Sequence, residues 1–220
     1  MQFRLIYEGP LRPSQRDPID QQVNPLADHK HRIRRVFHTQ LKHLWATDKF
    51  LSSHKMSKQL SRAQRPIADD AAYWGSEEEY VPMWEVLANQ NRRFDYRFVP
   101  LVTDYASLLC SLDVLFLRRD NPGSVIQSGD IDNRLKTLID ALHMPVNTPE
   151  LAGNETPREN EDPFYVLLED DKQVSHLSVE TDRLLDPPKA DRNEDRHMAH
   201  VVITVTLRPY YVTMFNLSFS

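Results

Sequence analysis

The residues with the clearest chemical potential lie at 130–142, where carboxylates and a lysine recur at helical spacing. Asp132, Lys136 and Asp140 are spaced four residues apart and therefore share one face of a helix. Asp130 comes just before and can point the same way as Asp132. Neighbouring carboxylates repel each other, and a divalent cation removes that penalty; hard oxygen ligands favour Mg²⁺, with Mn²⁺ as a substitute. The pattern predicts a metal site, although helix capping by an Asp and an Asp–Lys ion pair fit the same spacing.

A second acidic group, Glu169-Asp170-Asp171, ends a short apolar run. Alternation along a strand sends Asp170 and Asp171 to opposite sides. At most one of them is therefore expected to join Asp130 and Asp132 directly.

The order and spacing of these motifs resemble the RusA family of Holliday junction resolvases. The matching residues are Asp130, Asp132, Asn133, Lys136, Asp140-Ala141-Leu142 and Asp170-Asp171-Lys172-Gln173-Val174. The resemblance covers residues 100–182 well and both ends of the chain loosely. It implies a RusA-like, Mg²⁺-dependent endonuclease that acts as a homodimer on four-way DNA junctions in recombination and repair.

The resemblance also implies a role for each matched side chain. Asp130, Asp132 and Asp171 become the metal-binding acids, and Asp170 supports the site or shares ligation. Lys136 becomes the catalytic lysine.

One segment of the chain carries enough positive charge to favour a polyanionic partner. The formal net charge is -5, yet residues 29–65 contain 10 Lys or Arg and a single acid, Asp48. The field of such a segment can attract DNA whatever the total charge, because screening limits interactions to about 10 Å at 0.1 M salt. We expect an amphipathic helix over 28–45 with a basic exposed face on which Arg34, Arg35 and Lys42 contact phosphates. A solvated helix face is the plainer alternative.

Hydrophobic periodicity predicts an α+β fold, with a mixed sheet and few helices. A helix is expected at 132–143. Strands are expected at 2–7, 94–102, 108–117, 164–168, 174–181 and 201–207, with a last strand or a C-terminal arm at 210–219.

The chain is longer than typical RusA-like proteins, so the single domain over 1–220 is expected to carry extra segments. These are an insertion at 48–92, a loop insertion at 145–163 and a charged loop at 183–197. They keep two other functions open: a metal-dependent nuclease for flaps, replication intermediates or foreign DNA, and a repurposed binding protein. The latter would recruit a protein partner through residues 66–90, which include Trp74, Tyr80 and Trp84.

Composition excludes several other classes. No apolar run approaches the roughly 18 residues of a membrane span, and the first residues do not form a secretory signal. A single cysteine, Cys110, excludes an intramolecular disulfide and a cysteine-based zinc cluster. Only five glycines occur, and no Gly-rich phosphate-binding motif is present. We therefore expect a soluble cytoplasmic protein without a nucleotide-binding loop.

Overall fold

A computed structural model describes residues 1–13, 25–57, 80–118, 130–151, 153–185, 197–213 and 215–219. The α-helices are α1 (Pro25–Thr47), α2 (Lys49–Ser53), α3 (Met83–Gln90) and α4 (Asp130–Leu142). The strands are β1 (Gln2–Pro10), β2 (Lys55–Ser57), β3 (Tyr80–Pro82), β4 (Arg92–Arg93), β5 (Tyr96–Val102), β6 (Leu108–Arg118), β7 (Phe164–Leu168), β8 (Val174–Arg183) and β9 (Met198–Pro209). Short 3-10 helices occur at Thr148–Glu150, Asp171–Gln173 and Leu217–Phe219.

The largest sheet has four strands in the order β1-β9-β6-β8. β9 runs antiparallel to both β1 and β6, whereas β6 and β8 are parallel. A three-stranded sheet, β4-β5-β7, contains a second parallel pair, and β2 pairs with β3. The predicted α+β class with a mixed sheet is confirmed.

Alternation of apolar residues explains which face of the four-stranded sheet is buried. Val201, Ile203 and Val205 of β9 are fully buried, while the residues between them are only partly covered. Such alternation is typical of a sheet with one face on the core. The predicted strand at 108–117 is β6, and it lies inside the sheet between β9 and β8.

Helix α1 lies between the two larger sheets. On one side Phe37 packs against Tyr7 of β1, with ring centroids 6.3 Å apart. On another side His38 stacks on Phe164 of β7 at 4.4 Å. The helix is therefore covered by both sheets and not only along its apolar side. As a result, some of its polar residues are buried.

Two predicted extra segments are described only in part. The described residues of the 48–92 stretch contribute Leu51, Met56 and Val86 to the main core. Residues 58–79, which include Trp74, and residues 186–196 of the charged loop lie outside the described ranges. The described residues of the 145–163 stretch, 145–151 and 153–163, are loop with one short 3-10 helix.

The C-terminal residues form a packed arm, and the described residues of 210–219 contain no strand. Asn216 is fully buried, and its side-chain amide donates to the carbonyl oxygens of Ala106 and Tyr211 at 2.9 and 2.7 Å. These bonds hold the arm beside the turn that precedes β6.

Within the described ranges, no helix has the length and apolar character needed to cross a bilayer.

Candidate functional site

Helix α4 presents Asp132 and Lys136 to solvent. Its other face is anchored in the core by Ile131, Leu135, Leu138, Ala141 and Leu142. Asp132 and Lys136 are exposed one turn apart, and neither makes a hydrogen bond or ion pair with another described residue. Asp130 is the first residue of the same helix, and the structure describes its backbone only. The predicted carboxylate and lysine are thus available to a ligand.

Asp140, two turns further along α4, is engaged inside the protein. Its carboxylate accepts from Lys30 Nζ at 2.6 Å and lies 3.9 Å from His143 Nε2. Burial acts to raise the pKa of Asp140, but hydrogen bonds from His143 and Lys30 outweigh it and leave the pKa below its usual value. Asp140 joins α4 to α1 and is not part of the exposed pair.

The second acidic group forms a tight turn at 169–173, which we call the acidic turn. Asp170 caps the 3-10 helix by accepting from the backbone N–H of Lys172 at 3.0 Å. This bond is the main cause that lowers the pKa of Asp170, with the neighbouring carboxyl of Asp171 also contributing. Gln173, which is buried, accepts from the backbone N–H groups of Glu169 and Asp170 at 3.1 and 3.2 Å.

The prediction that strand alternation separates Asp170 from Asp171 is therefore wrong. β7 ends at Leu168, and a 3-10 helix begins at Asp171, so neither carboxylate lies in a strand. Asp170 and Gln173 form a capping box, whose local hydrogen bonds take the place of the bonds between paired strands.

Asp104 belongs to the same acidic group and was missed by sequence reasoning. Its carboxylate lies 2.9 Å from Lys172 Nζ and accepts from Gln173 Nε2 at 3.4 Å. Its backbone N–H donates to the Glu169 carboxylate at 3.0 Å. Asp104 follows β5, far from the acidic turn in sequence, and no local pattern connects the two.

The two acidic groups lie towards opposite ends of α4. Arg134, near the start of the helix, donates to the carbonyl oxygen of Leu11 at 2.7 Å, just beyond the end of β1. His143, just past the end of the helix, pairs with Leu168, the residue before the acidic turn. The helix therefore runs from the end of β1 to the acidic turn.

One chain consequently does not gather all the predicted metal ligands. At 1.5 Å per residue, Asp132 and His143 are about 16 Å apart along the helix axis, and Asp171 lies at the His143 end. Among the described residues, no group of three or more His, Cys, Asp or Glu is arranged to hold a metal ion. Asp170 and Asp171 are together, whereas Asp132 is remote from both.

Arg34 is not an exposed DNA-binding residue, which corrects the sequence prediction. It is only 1% exposed, and its guanidinium donates to the carbonyl oxygens of Asp140 and His143 at 2.9 and 3.2 Å. Burial lowers the pKa of Arg34 to about 10, so it stays charged near neutral pH. A cation at the last carbonyls of α4 also complements the helix dipole.

The other two predicted DNA-contacting residues bind within the chain as well. Arg35 pairs with Glu161 at 2.6 Å and donates to Asn154 at 3.1 Å, with its side chain largely covered. Lys42 donates to the carbonyl oxygen of Asn160 at 3.1 Å. The predicted exposure is therefore wrong for Arg35, which Glu161 and Asn154 cover. Lys42 is partly exposed, and its contact with phosphate stays a prediction.

Three histidines of α1 are buried rather than charged surface residues. Burial lowers the pKa of His29 to about 4 and that of His31 to about 3, and it also lowers the pKa of His38. His38 accepts from the backbone N–H of Tyr165 at 2.9 Å, which leaves its other ring nitrogen as the donor to Asn160. Burial therefore disfavours the charged form of all three side chains.

Cys110 is a buried residue of β6. It is fully buried, and burial raises the pKa of its thiol to about 12. A thiol with so high a pKa is a poor nucleophile and metal ligand at neutral pH.

Comparison of this chain with known proteins identifies no similar protein. No protein-family model matches this chain, and no curated protein or solved structure gives a significant match. A functional assignment therefore depends on the motif residues and on where the fold places them.

Proposed function

We propose that this protein is a RusA-like, Mg²⁺-dependent endonuclease that cleaves branched DNA, with four-way junctions as its substrate. The observation that supports this most directly is the exposed Asp132–Lys136 pair on α4. An unpaired carboxylate and ammonium one turn apart, on a helix anchored through its other face, have no structural partner among the described residues. They also occupy the acid and lysine positions of the motif that resembles the RusA family.

The chemistry assigned to these side chains follows from their charges. When bound, Mg²⁺ supplies an activated water and a Lewis acid for the scissile phosphate. Lys136 neutralises the charge that develops on the phosphate oxygens. Asp132, with Asp130 in the same helical turn, supplies carboxylate oxygens of the type that Mg²⁺ prefers.

The complete acid set implied by the resemblance does not fit a single chain. Asp171 and Asp170 lie beyond the other end of α4, and a Mg²⁺ ion binds its ligands at only about 2.1 Å. The proposed homodimer resolves this difficulty if one chain supplies Asp132 and the other supplies the acidic turn. Asp170 then keeps its cap, and the exposed Asp171 binds the metal in place of its contact with the Asp170 carboxyl.

DNA binding must use cations other than Arg34. Arg34 and Arg35 are held by acceptors within the chain, so their charges support the fold rather than a phosphate contact. Lys136 on α4 and Arg32 on α1 reach solvent, although Arg32, with a side chain 72% accessible, also pairs with Asp28 at 2.6 Å. Lys42 is partly exposed on α1 as well.

The proposal is tested by incubating the protein with labelled four-way, flap and linear duplex DNA in Mg²⁺, Mn²⁺ or EDTA. We expect cleavage of the four-way substrate in Mg²⁺ or Mn²⁺ and none in EDTA. Cleavage of flaps alone would assign a different nuclease substrate. Binding without cleavage in either metal would contradict the nuclease proposal and favour the repurposed binding protein.

A further inference from the structure

Exposed apolar side chains are concentrated where the C-terminal arm meets the turn before β6. Five of the twelve large apolar side chains that are exposed in the described ranges lie on this arm or this turn: Tyr105, Tyr210, Tyr211, Val212 and Leu217. Exposed apolar residues that occur singly are ordinary, whereas a cluster of them marks an interaction surface. We call Tyr105, Tyr210 and Tyr211 the tyrosine surface.

The backbone that carries the tyrosine surface is held by contacts within the chain. The ring of Tyr105 packs against Phe215 of the arm, with centroids 5.6 Å apart. Tyr210 donates its backbone N–H to the turn before β6 at 3.0 Å, and the buried amide of Asn216 donates to the carbonyl oxygen of Tyr211 at 2.7 Å. The three rings therefore stand on a fixed base, which reduces the entropic cost of binding a partner.

Carboxylates border the tyrosine surface. Asp104 directly precedes Tyr105, and its side chain is 54% exposed, while that of its ion-pair partner Lys172 is 60% exposed. An ion pair so open to solvent contributes little, so another cation can share the carboxylate or replace Lys172. The acidic turn, which Asp104 contacts, adds three carboxylates. Even with the exposed Arg208 at the end of β9 included, the carboxylates outnumber the cations by four to two.

We propose that the tyrosine surface and Asp104 form a docking site for an arginine-rich segment of a partner protein. A guanidinium offers a flat face that stacks on tyrosine rings and a fork of N–H donors that fits a carboxylate. The surface supplies both partners side by side, since Asp104 and Tyr105 are adjacent and exposed. The excess of negative charge attracts such a segment and increases its rate of association.

The same charge disfavours a nucleic-acid strand at this surface. Bases can stack on tyrosine rings, but proteins that bind single strands place those rings in a positively charged groove. Here the phosphates would meet the carboxylates of Asp104 and the acidic turn. A cationic peptide satisfies both the rings and the acids, whereas a nucleic acid satisfies the rings alone.

The role of the rings is tested by fluorescence anisotropy with a short labelled peptide of alternating arginine and serine, in EDTA so that no metal occupies the acidic turn. Tyr210→Ala and Tyr211→Ala should each raise the Kd about threefold, and about tenfold together, because each removes an exposed cation–π contact. Tyr80→Ala is the control: Tyr80 is 58% exposed, as is Tyr210, but it lies on β3. A Kd that the double variant does not change would overturn the proposal.

The role of the charge is tested at Asp104 and in the peptide. Asp104→Asn should raise the Kd about threefold and make it less sensitive to salt, while Glu159→Gln, at an exposed acid elsewhere, should leave it unchanged. A lysine–serine peptide of the same length should bind less tightly, since an ammonium lacks the flat face of a guanidinium. Equal affinity for the two peptides would reduce the attraction to net charge and overturn the arginine assignment.

Single-stranded oligothymidylate is the competing ligand in the same assay. If it bound and Tyr210→Ala weakened it, while the arginine peptide did not bind, the tyrosine surface would be a base-stacking platform and the proposal would be wrong. Each of these readouts is binding without metal, so it does not depend on cleavage. A chain that cleaves no DNA would overturn the proposed function and leave the peptide result standing.

Discussion

The guanidinium of Arg34 donates to the backbone carbonyl oxygen of Asp140 at 2.9 Å and so closes the C-terminal end of α4. The same side chain reaches His143, and its NH1 donates towards the ring of His31. Together with the ion pair between Lys30 and Asp140, this contact fixes α4 against α1, two helices that are far apart in sequence. Arg34, which the sequence predicts to contact DNA, therefore has a structural role instead.

We predict that Arg34→Gln lowers the free energy of unfolding by about 2–4 kcal/mol, because buried carbonyl acceptors and a neighbouring imidazole lose their charged donor. Urea denaturation followed by circular dichroism measures this. Arg32→Gln is the control: its ion pair with Asp28, at 2.6 Å, is exposed, and its loss should cost no more than about 1 kcal/mol. Equal, small effects of the two substitutions would mean that Arg34 is not needed to hold α4.

The periodicity of α1 predicts the helix and its buried apolar side, but it does not predict that polar residues on the other side are buried as well. Ile33, Phe37 and Leu41 are buried as the 3.6-residue pattern requires. The pattern assumes that the opposite side is solvated, which is wrong for Arg34 and His38 because both are buried. Their acceptors come from the end of α4 and from the segment before β7, and a sequence pattern cannot reveal such distant partners.

The candidate site, like α1, could be predicted only in part. The spacing of Asp132 and Lys136 predicted a shared helix face, and both are exposed there. The relation of that face to Asp171 depends on the direction of α4 against the sheet, which spacing does not encode. Asp104 was missed because only the fold brings the turn after β5 next to the turn after β7.

Stability should fall as the pH decreases from about 6.5 towards 4. The pKa values of His29 and His31 are lowered to about 4 and about 3, so the unfolded chain binds protons in this window and the native chain does not. His143 acts in the opposite direction. Hydrogen bonds to Asp140 and Met144 overcome burial and raise its pKa, so its contribution is complete below pH 6.5 and is lost as the pH rises through the raised value.

The histidine effect is measured as the urea midpoint and slope between pH 7 and pH 4.5. His31→Gln should flatten the pH dependence by about one proton, or about 1.4 kcal/mol per pH unit well below pH 6.5. His43→Gln, the same substitution at an exposed position of the same helix, is the control. A wild-type stability that does not vary over this range would show that the buried histidines accept protons in the native state.

Asp132→Asn and Lys136→Gln should each reduce cleavage of the preferred DNA by at least about a hundredfold, the usual cost of removing a group that stabilises the transition state. Both side chains are exposed and without partners in the described ranges, so stability should change by no more than about 0.5 kcal/mol. Single-turnover cleavage measures the first effect and thermal unfolding the second. Glu159→Gln, an exposed acid away from both acidic groups, is the control. Near-wild-type cleavage by Asp132→Asn would mean that the carboxylate has no catalytic role.

Gln173 should control the shape of the acidic turn. Its side-chain oxygen accepts from two backbone N–H groups and its nitrogen donates to Asp104, so one buried amide holds the turn between β7 and β8 to the turn after β5. Gln173→Ala leaves the partly buried N–H of Asp170 without its acceptor, which costs about 1–3 kcal/mol, whereas the N–H of Glu169 still donates to the carbonyl oxygen of Val102 at 3.0 Å. Gln173→Glu keeps the acceptor but places a further negative charge beside Asp104.

We therefore expect Gln173→Ala to lower the melting temperature and to speed hydrogen exchange at Asp170, and less so at Glu169, whose N–H keeps the Val102 carbonyl as an acceptor. Gln173→Glu should retain slow exchange at those two amides while losing the attachment to Asp104. Exchange read residue by residue by NMR distinguishes these outcomes. If Gln173→Ala left both amides protected, other groups would have to hold the turn, and the position of Asp171 would not depend on Gln173. If it exposed them and cleavage also fell while DNA affinity held, the geometry of the acidic turn would be tied directly to catalysis.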